Sequence, residues 1–337
     1  MSATDKPLLS VRDLKKHFPI KGGILGRSQA VVQAVDGVSF DVRAGETLGI
    51  VGESGCGKST TAKLLIGLVD RDEGDIDLDG KSLGRDISLR ALRRDIQMVF
   101  QDSYASLNPR MTILDSIAFG ARVQGLDDPA GRARRLMARV GLDPDRFAGR
   151  YPHELSGGQR QRINIARALV MSPKVVVLDE AVSALDKSVE AQVLNLLSDL
   201  RAEFGLTYIF ISHDLNVVRY ISDRILVMYL GEVVELAPVD MIWAEQAHPY
   251  TRSLFSAMPS MDPDNRTQKP PLTGDPPNPI DPPPGCRFHT RCAFAADICK
   301  TRHPALGPMV AGSPHWVACH LHDPASGHPR AGQGVPA

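Results

Sequence analysis

The residues Gly52-Glu53-Ser54-Gly55-Cys56-Gly57-Lys58-Ser59-Thr60 carry the clearest chemistry in the chain. They read G-x-x-x-x-G-K-S, the pattern of a loop that cradles phosphates. Glycines let successive backbone N–H groups curl around anionic oxygens, and a helix N-terminus adds the positive end of its dipole. Lys58 is placed to reach the β- and γ-phosphates of ATP, and Ser59 to ligate Mg²⁺. An acidic pair, Asp179-Glu180, ends the apolar run Val175-Val176-Val177-Leu178. A buried strand ending there puts both carboxylates at the carboxyl edge of a sheet, beside the phosphate loop. Asp179 then holds Mg²⁺ through water, and Glu180 orients and polarises the attacking water. ATP hydrolysis asks for little covalent work from the protein, so positioning and charge neutralisation carry it.

A third group is Leu155-Ser156-Gly157-Gly158-Gln159. Ser156 suits an N-cap, and a helix N-terminus with exposed glycines is a second phosphate site. A single ATP does not need two such sites from one chain. Two subunits that sandwich two nucleotides do.

These groups need a scaffold of strands and helices. Glu46 to Val51 reads as the buried strand that feeds the loop, and Ala62 to Val69 as the helical face after it. Residues 8–15, 31–42, 75–80, 96–100 and 208–213 read as further strands, and 223–236 as a hairpin turning near Gly231. Residues 112–123, 129–140 and 188–203 have helical spacing, and a helix runs from Ser156 to Val170. The stretch from about 102 to 172 is expected as a helical subdomain between strands. Alternating strands and helices with continuous apolar runs mean a mainly parallel α/β sheet.

Composition narrows the class. The chain has 337 residues, 43% hydrophobic and 23% charged, enough apolar material for a sizeable core. Lys+Arg and Asp+Glu are both 39. The balance supplies no global attraction to nucleic acid or anionic lipid. No apolar run approaches the roughly 20 residues of a membrane span, and the N-terminus lacks a signal-peptide segment. A cytoplasmic protein is expected, with any membrane role exercised through a partner. Residues 259–285 hold ten prolines, too many for a helix or central strand.

The pentapeptide at 155–159 resembles the signature of ATP-binding cassette (ABC) ATPases, and the resemblance runs from residue 8 to about 250. It implies a P-loop NTPase fold: a RecA-like core with an antiparallel β subdomain and a helical subdomain. Gln101, within Val99 to Arg110, matches the glutamine-loop residue that senses Mg²⁺ and the attacking water. Ser183-Ala184-Leu185-Asp186 matches the D-loop that crosses the dimer interface, and His213 the switch histidine that contacts the γ-phosphate. Phe18, or alternatively His17, stands at the place of the aromatic that stacks on adenine. Ala181-Val182 replace the family's usual Pro-Thr, which is expected to loosen the turn after Glu180, and Ser103 stands where a proline is common.

Phe100 to Met111, His153-Glu154 and His248-Pro249-Tyr250-Thr251 look like the ATP-binding subunits of oligopeptide and dipeptide importers, the second, F-type subunit in particular. That resemblance implies a peripheral subunit on the cytoplasmic face of the bacterial inner membrane. Its implied partners are a second, unlike ABC ATPase subunit, two membrane permease subunits and a substrate-binding protein that delivers peptide, with no nucleic acid. Related nickel and glutathione importers are an alternative, as is a soluble ABC ATPase that remodels nucleic acid or ribosomes. The latter would want two cassettes, a coiled-coil insertion or a basic surface, and the chain has none. A third reading is a degenerate module whose partner does the hydrolysis. Intact Lys58, Asp179, Glu180 and His213 argue against it.

Cys286, Cys292, Cys299 and Cys319 are spaced C-x5-C-x6-C-x19-C. Zinc ribbons prefer C-x2-C knuckles, which are missing here. Four thiolates suit a [4Fe–4S] cluster, and the spacing resembles the C-terminal extension of the peptide importers, where such clusters occur. Zinc or unliganded thiols are the alternatives. His289, His303, His315 and His320 are expected at the surface, and Cys56 as a small loop residue. The chain thus divides into a nucleotide-binding domain over 1–255, a Pro-rich, Cys-bearing extension over 256–325 and a disordered tail over 326–337.

Overall fold

A computed structural model describes residues 6–21, 28–258 and 277–335. Its strands are β1 (Leu9–Lys21), β2 (Ser28–Val42), β3 (Thr47–Val51), β4 (Glu73–Leu78), β5 (Lys81–Ser82), β6 (Ile96–Val99), β7 (Val175–Asp179), β8 (Thr207–Ile211), β9 (Arg224–Tyr229), β10 (Glu232–Pro238), β11 (Gly307–Pro308) and β12 (Trp316–Val317). The helices are α1 (Lys58–Leu65), α2 (Leu89–Asp95), α3 (Ile113–Val123), α4 (Pro129–Arg139), α5 (Pro144–Phe147), α6 (Gly157–Leu169), α7 (Lys187–Phe204), α8 (Leu215–Ile221), α9 (Val239–Ala244), α10 (Pro249–Ser256) and α11 (Asp297–Thr301).

Two sheets share the work. The larger runs β11-β12-β10-β9-β3-β8-β7-β6. Its centre, β9-β3-β8-β7-β6, is parallel. Strands β3, β7 and β8 are buried along their whole length, which is why Val175–Leu178 and Tyr208–Ile211 read as unbroken apolar runs rather than alternating ones. The smaller sheet, β2-β1-β4-β5, is antiparallel throughout. Helices α3 to α6 lie in the chain between β6 and β7, and the apolar faces of α3, α4 and α6 enter one core with Leu178 and Phe210. The other core cluster joins β1, β2 and β4 to the opposite face of the parallel strands.

Helix ends follow their sequence signals. Thr112 caps α3 and Asp128 caps α4, each accepting a backbone N–H three residues on. Helix α1 departs from the expected range of 62–69. It starts at Lys58 and stops at Leu65, because the phosphate loop feeds it directly and Gly67, at φ +63°, reverses the chain. Leu68 is therefore exposed rather than on a buried helical face.

The C-terminal extension is stitched to the cassette. Trp316 and Val317 pair with Leu236 and Glu235, adding β12 to the sheet edge. The Gln33 N–H donates to Pro279 O at 3.0 Å. The expected Pro-rich linker falls partly on 259–276, outside the described residues. The expected disordered tail needs correction over residues 326–335. Ser326 and His328 are buried, Ser326 Oγ donates to His320 O at 2.8 Å, and Gly332 N–H donates to Leu321 O at 2.8 Å. A Gly/Pro/Ser composition suggested disorder, but these residues are held by hydrogen bonds to the fold rather than by periodic apolar contacts.

Phe210 lies in the middle of the large sheet with no exposure. Phe210→Ala should lower stability by about 3–5 kcal/mol. A urea titration would register this as a lower midpoint at unchanged slope.

Candidate nucleotide site

The phosphate loop leaves the buried end of β3 and turns into α1. Two glycines in it admit no side chain. Gly57 has φ +109°, and a Cβ there would lie 2.3 Å from Ala34 O. Gly52 has φ +148°, and a Cβ would lie 2.2 Å from Met228 O. The loop is thus pressed between β2 and β9. Gly231 N–H donates to Cys56 O at 2.9 Å and closes the third side. Cys56 itself is buried under the loop, and burial pushes its thiol pKa up.

Lys58 points back into the loop. Its ammonium donates to Gly52 O at 2.7 Å and Glu53 O at 2.9 Å. Ser59 Oγ donates to Asp179 Oδ1 at 3.0 Å, across from the end of β7. Burial raises the pKa of Asp179; the Ser59 hydroxyl opposes this and the charge of Glu180 adds to it. A buried carboxylate that accepts from a hydroxyl is a natural place for a cation, and the donor set of Ser59 and Asp179 fits Mg²⁺.

Glu180 sits just past β7 with φ +48°. A non-glycine residue in the left-handed region costs of order 1–3 kcal/mol and persists only where its surroundings hold it. Glu180 N–H donates to Ile211 O at 2.9 Å, which pins the backbone. Its carboxylate accepts from Gln101 Nε2 at 2.8 Å and lies 3.5 Å from His213 Nδ1. Two residues far apart in the chain, Gln101 and His213, therefore converge on the Glu180 carboxylate. A cavity of about 410 Å³ is lined by Ser54, Gly55, Gly57 to Thr60, Gln101, Glu180 and His213, together with Val32 and Ala34. A larger cavity, about 640 Å³, lies between the small sheet and the extension, away from these groups.

Phe18 is paired with Val32 across β1 and β2, so it stands beside the cavity wall. His17 is engaged elsewhere, with Nε2 3.1 Å from Asp36 Oδ1. Of Leu155–Gln159, none lines the cavity of its own chain. Ser156 and Gln159 form a reciprocal capping box at the start of α6. Gly158 packs on Val189: a Cβ would lie 2.5 Å from Val189 Cγ1. In the turn after β7, Ser183 N–H and Oγ both donate to Glu180 O. Ala181 and Val182 are buried in the core. The loosened turn expected there is not what the structure has: apolar packing and the Ser183 bonds close it.

Other residues tie the segment after Gln101 to α6, and their sequence context did not single them out. Buried Asn164 donates to Ser103 O at 3.0 Å and accepts from Ser106 Oγ at 3.1 Å, and Arg167 donates to Ser106 O. Ser103, at the place of a common proline, contributes its carbonyl here. A polar residue on the apolar side of α6 was the available signal.

The four extension cysteines are all free and line one cavity of about 20 Å³ with Phe288, Phe294 and Leu321. Burial pushes the Cys286 thiol up to about 12 and Cys292 up to about 11, and raises Cys319 as well. Among the described residues, no three His, Cys, Asp or Glu side chains are gathered tightly enough for a metal ion. The expectation of surface histidines fails for His315 and His320, which are buried. His315 Nε2 lies 2.7 Å from Glu235 Oε1, and His320 Nε2 2.8 Å from Arg302 O. Each ring has a polar partner inside, which is what lets a histidine be buried. His248 caps α10, its Nδ1 accepting Tyr250 N–H at 3.1 Å, and burial lowers its pKa to about 4.

Residues 35–183 match the family described as ABC transporter, and residues 234–299 match the oligopeptide/dipeptide transporter C-terminal region. The chain is 50% identical over 332 residues to the oligopeptide transport ATP-binding protein OppF of Escherichia coli, covering 95% of this chain and 97% of that one. It is 48% identical over 329 residues to AppF of Bacillus subtilis, covering 95% and 99%. Among solved structures, it resembles a dimeric ATP-binding cassette in a post-hydrolysis state with ADP and Pi, at TM-score 0.59 and 30% identity, over 68% of this chain and 98% of that one. The phosphate loop, the convergent carboxylate and these likenesses along nearly the whole chain place it in the ABC transporter family, among the ATP-binding subunits of oligopeptide and dipeptide transporters.

Proposed function

We propose that the chain hydrolyses ATP to drive peptide import across the bacterial inner membrane, working from its cytoplasmic face. The observation that carries this reading is the meeting of Gln101, Glu180 and His213 beside the phosphate loop in one cavity. Backbone N–H groups among Ser54, Gly55 and Gly57 to Thr60 bind the phosphates, and Lys58 leaves its loop carbonyls to pair with them. Phe18 stacks on the adenine. Ser59 and Asp179, with Gln101, would hold Mg²⁺, which supplies charge neutralisation on the phosphate oxygens. Glu180 accepts a proton from the attacking water while Gln101 and His213 fix its carboxylate.

The signature residues Leu155–Gln159 serve a second cassette's ATP, and Ser183 to Asp186 cross between the two. The absence of these signature residues from their own chain's cavity supports this, as does the dimeric form of the solved relative. The partner ATPase is an unlike subunit, beneath two permeases fed by a peptide-binding protein. In the described residues no helix is long and apolar enough to cross a membrane, so coupling runs through surfaces such as the segment after Gln101. The domain division follows the sequence reading, with the extension continuing to about residue 335.

Cys286, Cys292, Cys299 and Cys319 would hold a [4Fe–4S] cluster. The support for this reading is that all four thiols line one cavity, together with His248, His289, His320 and His328; to bind the cluster they would have to draw closer than they stand here. Bound there, it supplies cross-linking of a segment that has little regular structure, so its binding free energy is folding free energy.

Glu180→Gln should cut turnover of the assembled transporter by about 10²–10⁴-fold and leave ATP retained. Hydrolysis at the parent rate would refute the role of Glu180. Anaerobically purified protein should contain iron and acid-labile sulfide, and Cys292→Ser should lose both. Protein with neither would rule the cluster out.

A further inference from the structure

We propose that Arg291, assisted by Tyr250, is a positioning residue for ATP: the C-terminal extension holds the phosphate loop in its binding form by clamping Glu53. The proposal rests on the loop's being an ATP site, which the parent's own KM for ATP establishes separately.

Every polar group of Glu53 is engaged. Its carboxylate receives both Arg291 Nη atoms, at 2.9 and 3.1 Å. Its N–H donates to Tyr250 Oη at 2.8 Å. Its carbonyl accepts from Lys58 Nζ at 2.9 Å. Residue 53 thus links the extension, α10 and the lysine that reaches for phosphate. The Arg291 side chain is only 6% exposed, so the ion pair is shielded on its side. A guanidinium fork on a carboxylate fixes orientation as well as charge.

Two consequences follow for ATP. An unneutralised Glu53 carboxylate would stand in the same short loop that must attract a polyphosphate, and like charges repel through a partly buried site with little screening. A released Glu53 would also let its carbonyl, and so the resting place of Lys58, shift.

The clamp has a rigid mount. Tyr229 Oη lies 3.4 Å from Arg291 Nη1. The Tyr229 ring packs on Tyr250 at 4.6 Å and edge-on to Phe288 at 5.3 Å. Four residues before Arg291, Arg287 grips Gln33 at 2.8 Å, Glu232 at 2.8 Å, Asp36 and Leu230 O. Those partners sit on β2 and the β9–β10 turn, the walls that press on Gly57 and Cys56. The extension therefore braces the loop from two sides, whatever its thiols hold.

The test is the ATP dependence of hydrolysis by the assembled transporter. Arg291→Gln should raise the KM for ATP about tenfold with kcat within about twofold. The double variant with Glu53→Gln should bring KM back to within about threefold of the parent, because the unpaired charge is gone. A merely structural arginine would give no such rescue. Where Arg291→Gln does not assemble, Arg291→Lys serves, with a KM rise of about threefold from loss of the fork. A parental KM in the assembled single variants, or a double variant no better than Arg291→Gln, would overturn the proposal.

Discussion

A loop that binds phosphate through its own N–H groups has few of them to spend on holding itself in shape. This constraint orders much of the molecule. Glycines at 52 and 57 let the loop take the required backbone angles, but the same freedom makes it floppy in isolation. Its shape has to be imposed from outside. Ala34 and Met228 press on it, Gly231 donates to Cys56 O, and Tyr250 and Arg291 secure Glu53. The parallel sheet delivers β3, β7 and β8 side by side, so Ser59, Asp179 and Glu180 arrive at one edge without any loop having to travel far.

Strain is tolerated at one point of that edge. Glu180 adopts a left-handed backbone, held by Ile211 O on one side and by the turn that Ser183 closes on the other. Gln101 and His213 then converge on its carboxylate from β6 and β8. The capped start of helix α6, in contrast, does not line this cavity, while Asn164 and Arg167 bind the helix to the segment after Gln101.

Most of this site was legible in sequence because each motif is local. Lys58 and Ser59 follow the loop's last glycine, Asp179-Glu180 end an apolar strand, and Ser156 with Gln159 encodes its own cap at i, i+3. The misreadings came where local composition competes with distant partners. His315 and His320 look like surface residues until Glu235 and Arg302 O are seen beside them. Residues 326–335 look like a solvated tail until their bonds to His320 and Leu321 appear.

By itself, the sequence determined the phosphate loop, the carboxylate pair, the order of motifs and the alternation of strand and helix. Those depend on residue type, on backbone conformation and on periodicity over a few residues. The tertiary structure alone decided that Gln101 and His213 share one carboxylate and that Arg291 clamps Glu53. That last pair is separated by 238 positions. A contact across such a span is set by how two sheets and an irregular extension pack, and no local pattern of residues records it.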